Sequence, residues 1–381
     1  MDKIYLDNAS TSYPKPEGVA REVYDYMANV GANIHRGTYE NAFDAAMTVF
    51  ETRQQIAALF GASDCKNVVF TKNVTESLNV LLKGFLQPGD HILVSAMEHN
   101  AMMRPLVQLG CEFDRIPCDA EGNLQLDSMK KFLRPNTKAV AMLHASNVCG
   151  TVMPLAQVGA FCREHGLKFF VDSAQTAGVL PIHMEALGID ALAFTGHKGL
   201  MGPQGIGGLV LREEMVPLIE PLISGGTGSR SDSEEIPHFM PDRFEAGMPN
   251  LPGIFGLHAA LKWINNTGID AIRRHELCLA QQFLSGLLSL ERKDLLRIIG
   301  KRDCAERIGV VSILPLRKDP STVAFELAER YGIQNRVGLH CAPSAHRTLG
   351  TFPMGTVRFS FGWFNDCAQT EHAICALERC C

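Results

Sequence analysis

The sequence contains no Cys-x-x-Cys pair, although 12 of its 381 residues are cysteine. That absence argues against a zinc ribbon. The scattered positions (Cys65, Cys111, Cys118, Cys149, Cys162, Cys278, Cys304, Cys341, Cys367, Cys375, Cys380 and Cys381) argue against a disulfide framework. Most of these thiols are expected as small buried apolar residues in a reducing compartment, and no metal site is expected. Cys341 and the terminal Cys380-Cys381 pair stand apart, the latter as either a mobile dithiol or an ordinary exposed end. No apolar run approaches the ~20 residues that span a bilayer. The opening residues, Met1-Asp2-Lys3-Ile4-Tyr5-Leu6-Asp7, lack the charged-then-apolar layout of a secretory signal, so a cytoplasmic location is expected. There is no basic block, and the net charge is −5, which argues against nucleic acid and anionic membranes as partners. Internal repeats and low-complexity tracts are also missing. What is present is ordinary for a soluble enzyme, with 20% charged and 46% apolar residues in a chain long enough for two domains.

The middle of the chain alternates strand and helix signals. Strands are expected at Asn67–Thr71, His91–Ser95, Ala139–His144, Leu167–Val171, Asp190–Phe194 and Gly207–Leu211. Helices are expected at about Thr75–Phe85, from about Asn100, and near Leu155–His165. Continuous apolar strands with helices between them indicate an α/β fold with a mainly parallel sheet covered on both faces. Gly225–Pro241 is polar and punctuated by Gly and Pro, so it reads as a long loop, and its position suggests that it borders a site mouth. Helical pattern resumes at about Pro252–Asn265 and runs on to about Leu290. Ile308–Leu314, Thr322–Tyr331, Thr356–Phe361 and Gln369–Leu377 then alternate in a smaller α+β unit. The expected division is a large domain over 15–265, with 1–14 packing back onto a small domain over 266–381.

Two polar residues close strands in this pattern. Asp172 lies in Val171-Asp172-Ser173-Ala174-Gln175, and Lys198 in Thr195-Gly196-His197-Lys198. Ligands of open α/β sheets sit outside the carboxyl ends of the strands, so both side chains are expected in one crevice. A lysine and a carboxylate there suit pyridoxal 5'-phosphate (PLP): the amine binds its aldehyde, and the carboxylate keeps the pyridine nitrogen protonated so that the ring acts as an electron sink. Either residue alone would read as a surface lysine or a strand-end aspartate.

Read as an ordered set, further segments resemble the cysteine desulfurase/selenocysteine lyase family, group II (SUF-type), within the class V aminotransferases of fold-type I. They are Tyr5-Leu6-Asp7-Asn8-Ala9, His35-Arg36-Gly37, Thr75-Glu76-Ser77-Leu78-Asn79, Glu98-His99-Asn100-Ala101, Ser146-Asn147-Val148-Cys149-Gly150, Phe244-Glu245-Ala246-Gly247-Met248-Pro249-Asn250 and Arg336-Val337-Gly338-Leu339-His340-Cys341-Ala342. The resemblance implies a seven-stranded, mainly parallel sheet in the large domain, a smaller α+β C-terminal domain, PLP as cofactor and a homodimer. It places Lys198 on the cofactor, Asp172 on its ring nitrogen and His99 on its ring face. Gln175 falls on the phenolic oxygen, with Asn147 near that oxygen and the substrate carboxylate. Thr75, Val74, Thr195 and His197 fall around the phosphate. Val74 stands where the family commonly has a hydroxyl, so its backbone N–H must serve. A helix N-terminus near Thr75 suits an anion, and Thr75 itself also reads as an N-cap. Met248 replaces a threonine that reaches the neighbouring subunit's phosphate, a bond methionine cannot donate.

Arg336, His340 and Cys341 form a second cluster. A thiol attacks sulfur as thiolate, which neighbouring guanidinium or imidazolium groups favour. Cys341 matches the cysteine that accepts sulfur as a persulfide, and Leu339 replaces a common histidine. Arg358 matches the arginine that clamps the substrate α-carboxylate through its planar fork, with Arg336 assisting; a salt bridge on a strand is the plainer reading of Arg358. The resemblance thus implies conversion of L-cysteine to L-alanine with sulfur left on Cys341 and passed to an acceptor protein or other thiol. Selenocysteine lyase acting on L-selenocysteine, a related lyase or epimerase, and a non-catalytic sulfur carrier or scaffold stay open as alternatives.

Overall fold

The computed structural model describes residues 3–34 and 37–381; His35 and Arg36, two members of the family signature, lie outside the described residues. Short apolar runs bounded by Gly, Pro and Asp form most of the strands. In chain order they are β1 (Ile4–Tyr5), β2 (Val68–Thr71), β3 (His91–Ser95), β4 (Glu112–Ile116), β5 (Thr137–Leu143), β6 (Lys168–Asp172), β7 (Ala191–Thr195) and β8 (Gly207–Leu211). All but β1 make one seven-stranded sheet in the order β2-β8-β7-β6-β5-β3-β4. Every residue of β3, β7 and β8 is buried, as expected of strands covered on both faces.

Only β8 runs against its neighbours β2 and β7; the other pairings in this sheet are parallel. The carboxyl ends of β2 and β7 therefore point the same way. Thr71 pairs with Gly207, and Gly207 with Thr195, so the two threonines lie in one row two strand spacings apart, about 10 Å. Gly207 is required in that row. A Cβ there would meet the Phe194 carbonyl oxygen at 2.7 Å and Asn73 Cα at 2.8 Å.

The second unit holds β9 (Leu296–Ile299), β10 (Val310–Pro315), β12 (Arg336–Gly338) and β13 (Thr356–Ser360) in the antiparallel order β12-β13-β10-β9. β1 pairs in parallel with β11 (Ile333–Gln334), so the chain's start joins this unit. Leu6, Phe283, Ile333, Phe359 and Leu377 share one apolar cluster there. Cys380 and Cys381 lie in the same cluster, and burial pushes the Cys381 thiol up to about 12. The tail is therefore neither a mobile dithiol nor an exposed end. Cys278, Cys367 and Cys375 are exposed, against the expectation that most of the other thiols are buried.

Two further expectations need correction. β4 was not expected, because three of the five residues in Glu112-Phe113-Asp114-Arg115-Ile116 are charged. It is the sheet edge, and Arg134 pairs there with Glu112 at 2.7 Å and Asp114 at 2.6 Å, which discourages further strand pairing. The Gly225–Pro241 loop does not border the crevice along its length. Residues from Glu234 to Met240 line a surface with Asp64, Lys66 and Asn67, at the amino end of β2.

The helix Leu251–Thr267 packs on two N-terminal helices, Glu17–Asp25 and Glu40–Phe60, and ends at Gly268 (φ 85°), where the helix Ile269–Glu291 begins. The Glu245 loop is tied to this layer by a clamp on the buried Arg53. Both Arg53 Nη atoms donate to the Glu245 carboxylate, at 2.8 and 2.5 Å, and Phe70 N–H donates to it at 2.6 Å. Removing one partner of such a pair costs about 3–5 kcal/mol. Glu245→Ala is therefore expected to lower the unfolding free energy measured in urea by that margin and Glu245→Gln by less, and an unchanged unfolding free energy in Glu245→Ala would refute the clamp.

Candidate active site

Asp172 is the last residue of β6, and Thr195 the last of the adjacent β7, with Lys198 on the turn that follows. Strand order alone thus brings carboxylate and amine to one end of the sheet. Asp172 is buried and accepts the Ala174 N–H at 2.8 Å; its burial raises its pKa against the opposing pull of that bond and of Lys198. Burial pulls the Lys198 amine down to about 8, Asp172 works the other way, and the charges of Arg358 and Arg336 add to the depression. That amine therefore gives up its proton more readily than a solvent-exposed lysine.

The helix Val74–Phe85 begins just beyond β2. Its cap is Asn73, whose side chain accepts the Glu76 N–H at 3.1 Å, so Thr75 is not the N-cap. Asn73 also takes the Ser77 N–H, leaving the Val74 and Thr75 N–H groups free for an anion. Val74 itself is buried and Thr75 is exposed. Across the row, Thr195 Oγ1 and His197 Nδ1 are buried without a hydrogen-bond partner. The His197 ring is kept neutral, its pKa pushed down to about 4 by burial and by the Lys198 and Lys15 charges. Lys15 Nζ holds the turn from behind, donating to the His197 carbonyl at 2.9 Å.

His99 caps the helix Asn100–Leu109. Its Nδ1 accepts the Ala101 N–H at 3.0 Å, which leaves the ring proton on Nε2. Burial first, then the Lys198 and Arg358 charges, push its pKa down to about 4, so the ring is neutral. Gln175 donates to the Ala9 carbonyl at 3.0 Å. Asn147 donates to the His340 carbonyl at 2.8 Å, while its Oδ1 is buried without a partner.

Arg358 is buried in β13 at 2% exposure. Its Nη2 donates to Asp7 Oδ1 at 2.8 Å and to Ser10 Oγ at 2.7 Å, its Nη1 to the Asn147 carbonyl at 3.0 Å, and its Nε has no partner. The salt bridge of the plainer reading is thus real, and it orients the guanidinium. Arg336 lies opposite Arg358 in the β12–β13 register and donates to the same Ser10 hydroxyl at 2.9 Å. Asp7 and Ser10 are the members that sequence reasoning left without a role. The signal for Asp7 was its place in Tyr5-Leu6-Asp7-Asn8-Ala9; Ser10 gave none.

Cys341 is exposed, and with His340 it adopts a left-handed backbone (φ 56° and 46°), an uncommon pair for non-glycine residues. The Asn100 N–H donates to the Cys341 carbonyl at 2.8 Å. A cleft of about 300 Å³ brings Cys341 together with Thr75, Asn79, His99 and Asn100. His340 does not supply the expected imidazolium. It is buried, its Nε2 meets Thr356 Oγ1 at 2.9 Å, and burial with the Arg358 charge pushes its pKa down to about 2. Met248 lies elsewhere, exposed beside Leu222 and Ile223 near the start of the Val74–Phe85 helix.

The aminotransferase class-V family model matches residues 4–372. A probable cysteine desulfurase of Pyrococcus abyssi is 36% identical over the whole chain and 94% of its own length. A cysteine desulfurase of Klebsiella pneumoniae is 33% identical over 99% of the chain and 93% of its own length. Among solved structures, the apo cysteine desulfurase of Thermococcus onnurineus superposes with a TM-score of 0.91 at 35% identity, over 99% of this chain and 94% of that one. The end-to-end match, the sheet order and the placement of Asp172 and Lys198 agree: the chain belongs to the aminotransferase class-V family, among its cysteine desulfurases.

Proposed function

We propose that this chain is a PLP-dependent cysteine desulfurase that converts L-cysteine to L-alanine and takes the sulfur onto Cys341 as a persulfide. The observation that carries the reading is the set of buried polar atoms left without partners, Thr195 Oγ1, His197 Nδ1, Asn147 Oδ1 and Arg358 Nε, on the residues ranged around Lys198. Buried polar groups are normally satisfied, so orphans gathered at one crevice mark the place of a polar ligand. The residues fit PLP: Asp172 for the ring nitrogen, His99 for the ring face, Gln175 for the phenolic oxygen, and Thr195, His197 and the N–H groups of Val74 and Thr75 for the phosphate. Bound there, PLP supplies an aldehyde to capture the substrate amine and an electron sink for the charge left at Cα.

The chain's own residues do the rest. Arg358, oriented by Asp7 and Ser10, and Asn147 fix the substrate carboxylate, with Arg336 alongside. Lys198, whose amine is pulled down to about 8, takes the proton from Cα. The Cys341 thiolate attacks the substrate sulfur, the Cβ–S bond breaks with its electron pair going to the carbon side, and protonation there yields alanine. An exposed thiol held in a strained turn at the cleft favours this over selenocysteine lyase, which needs no nucleophilic cysteine. The orphaned polar set speaks against a mere carrier.

The reading extends to organisation. The chain divides into a large domain over 15–265 and a small one comprising 1–14 and 266–381. It pairs as a homodimer through the helix Glu40–Phe60, where Phe43, Met47 and Phe50 form an exposed apolar stripe at helical spacing. It works in the cytoplasm; no helix among the described residues is long and apolar enough to cross a membrane.

Three measurements test these points. Lys198→Ala is expected to abolish alanine formation from either amino acid, whereas Cys341→Ala abolishes it from cysteine and keeps it from selenocysteine; undiminished cysteine turnover in Cys341→Ala would sink the persulfide step. Acylation of Lys198 in the apo-protein, followed by peptide mapping, is expected to rise through pH of about 8. Removing the Asp172 charge that supports the ammonium, in Asp172→Asn, shifts that midpoint lower; a midpoint in the ordinary lysine range would contradict the burial of the amine. Phe43→Glu is expected to convert a dimer to a monomer in light scattering, and an unaltered dimer would remove this helix from the interface.

A further inference from the structure

We infer that the groove beside Cys341 binds a low-molecular-weight thiol carrying two carboxylates, which takes the sulfur off the enzyme. This rests on the desulfurase reading above, because it concerns the step after the persulfide forms. The groove measures about 340 Å³ and is lined by Met103, Arg104, Val107, Arg115, Pro343 and Arg347. It adjoins the Cys341 cleft, with which it shares Asn100, Arg104 and Gln108. The two spaces are therefore contiguous at these three residues.

The charge of the groove runs against that of the chain, which is −5 overall. Among the described residues, none of its three arginines forms an ion pair. Glu98 also lines the groove, but its carboxylate is turned inward, accepting from the Ser95 hydroxyl and the Leu143 N–H. Two of the guanidiniums are held in place by aromatic faces, Arg115 over Phe113 at 4.9 Å and Arg347 over Phe352 at 4.3 Å. Burial first, and then the Arg347 charge, depress the Arg115 pKa, so the two cations repel across the groove. Unpaired, pre-ordered guanidiniums facing one another are what a dicarboxylate satisfies, each fork taking one carboxylate. The apolar floor of Met103, Val107 and Pro343 suits a short carbon chain. Its volume lies near the lower end of the ~300–1,000 Å³ typical of small-molecule sites, which favours a small thiol over a folded protein.

The step balances without an outside oxidant. The acceptor thiolate attacks the outer sulfur of the Cys341 persulfide and forms a new S–S bond. The bond to Cys341 Sγ breaks, and its electron pair leaves on Sγ as the resting thiolate. The acceptor departs as a persulfide.

The test uses the PLP-loaded enzyme with three probe thiols: mercaptosuccinate (dicarboxylate), 2-mercaptoethanol (neutral) and cysteamine (cationic). Sulfur transfer is measured at steady state, and alanine in a single turnover without added thiol. For each thiol the variant is compared with the unsubstituted enzyme, which cancels intrinsic nucleophilicity. Arg115→Ala with Arg347→Ala is expected to lower kcat/KM for mercaptosuccinate about tenfold or more, equivalent to about 1.4 kcal/mol, and to leave 2-mercaptoethanol unchanged. Arg115→Glu is expected to raise kcat/KM for cysteamine. Single-turnover alanine stays the same in every variant. If the double variant slows all three thiols equally, or none, the groove is not an anionic-thiol site. An enzyme that makes alanine once and then ignores all three thiols points to a protein acceptor and overturns the proposal. Absence of alanine in the unsubstituted enzyme would instead bring down the desulfurase reading.

Discussion

A guanidinium cannot lose its charge inside a protein, so enclosing one forces the chain to bring acceptors to it. Arg358 is that constraint here. Its partners Asp7 and Ser10 are 351 and 348 residues away in sequence, and the Asn147 carbonyl 211. One side chain therefore locks the N-terminal segment, the loop after β5 and an inner strand of the small sheet into a single arrangement. β1 pairing with β11 and the Ser360 N–H bonding the Leu6 carbonyl at 2.8 Å follow the same seam. The crevice is built where these segments meet, so its geometry depends on Arg358 being satisfied.

Burial also sets the protonation of the site as a whole. It is the leading cause of the low pKa values of His99, His197, His340 and Lys198. Positive neighbours (Lys198, Arg358 and Arg336) deepen the effect. The three imidazoles are held neutral at physiological pH, and positive charge is concentrated on the arginines. A carboxylate entering the crevice thus meets fixed cations, while proton transfer is left to an amine whose pKa burial lowers.

Much of the fold was legible because buried parallel strands write themselves as apolar runs. His91–Ser95 and Gly207–Leu211 match their expected bounds, and the strands ending at Asp172 and Thr195 start and finish one residue later than expected. β4 escaped because an edge strand carries charge, and β9, β11 and β12 because they are only 4, 2 and 3 residues long. Within the site, Asp172 and Lys198 were legible from strand ends. The direction of a side chain was not. The sequence puts His340 beside Cys341 but cannot show its ring turned inward to Thr356. It likewise marks Thr75 at a helix start without revealing that Asn73, two residues earlier, closes it. The partnership of Arg358 with Asp7 was beyond any local pattern.

The turn that carries Cys341 is gripped by its peptide oxygens: Asn147 holds that of His340 and Asn100 that of Cys341, each at 2.8 Å. With both carbonyls anchored, the β-carbon is stationary and the sulfur moves only by bond rotation. A second sulfur attached to it, through a bond of about 2.05 Å, sweeps an arc reaching no further than about 4 Å from that carbon. Such a tether cannot ferry cargo outward; whatever collects the atom has to travel in.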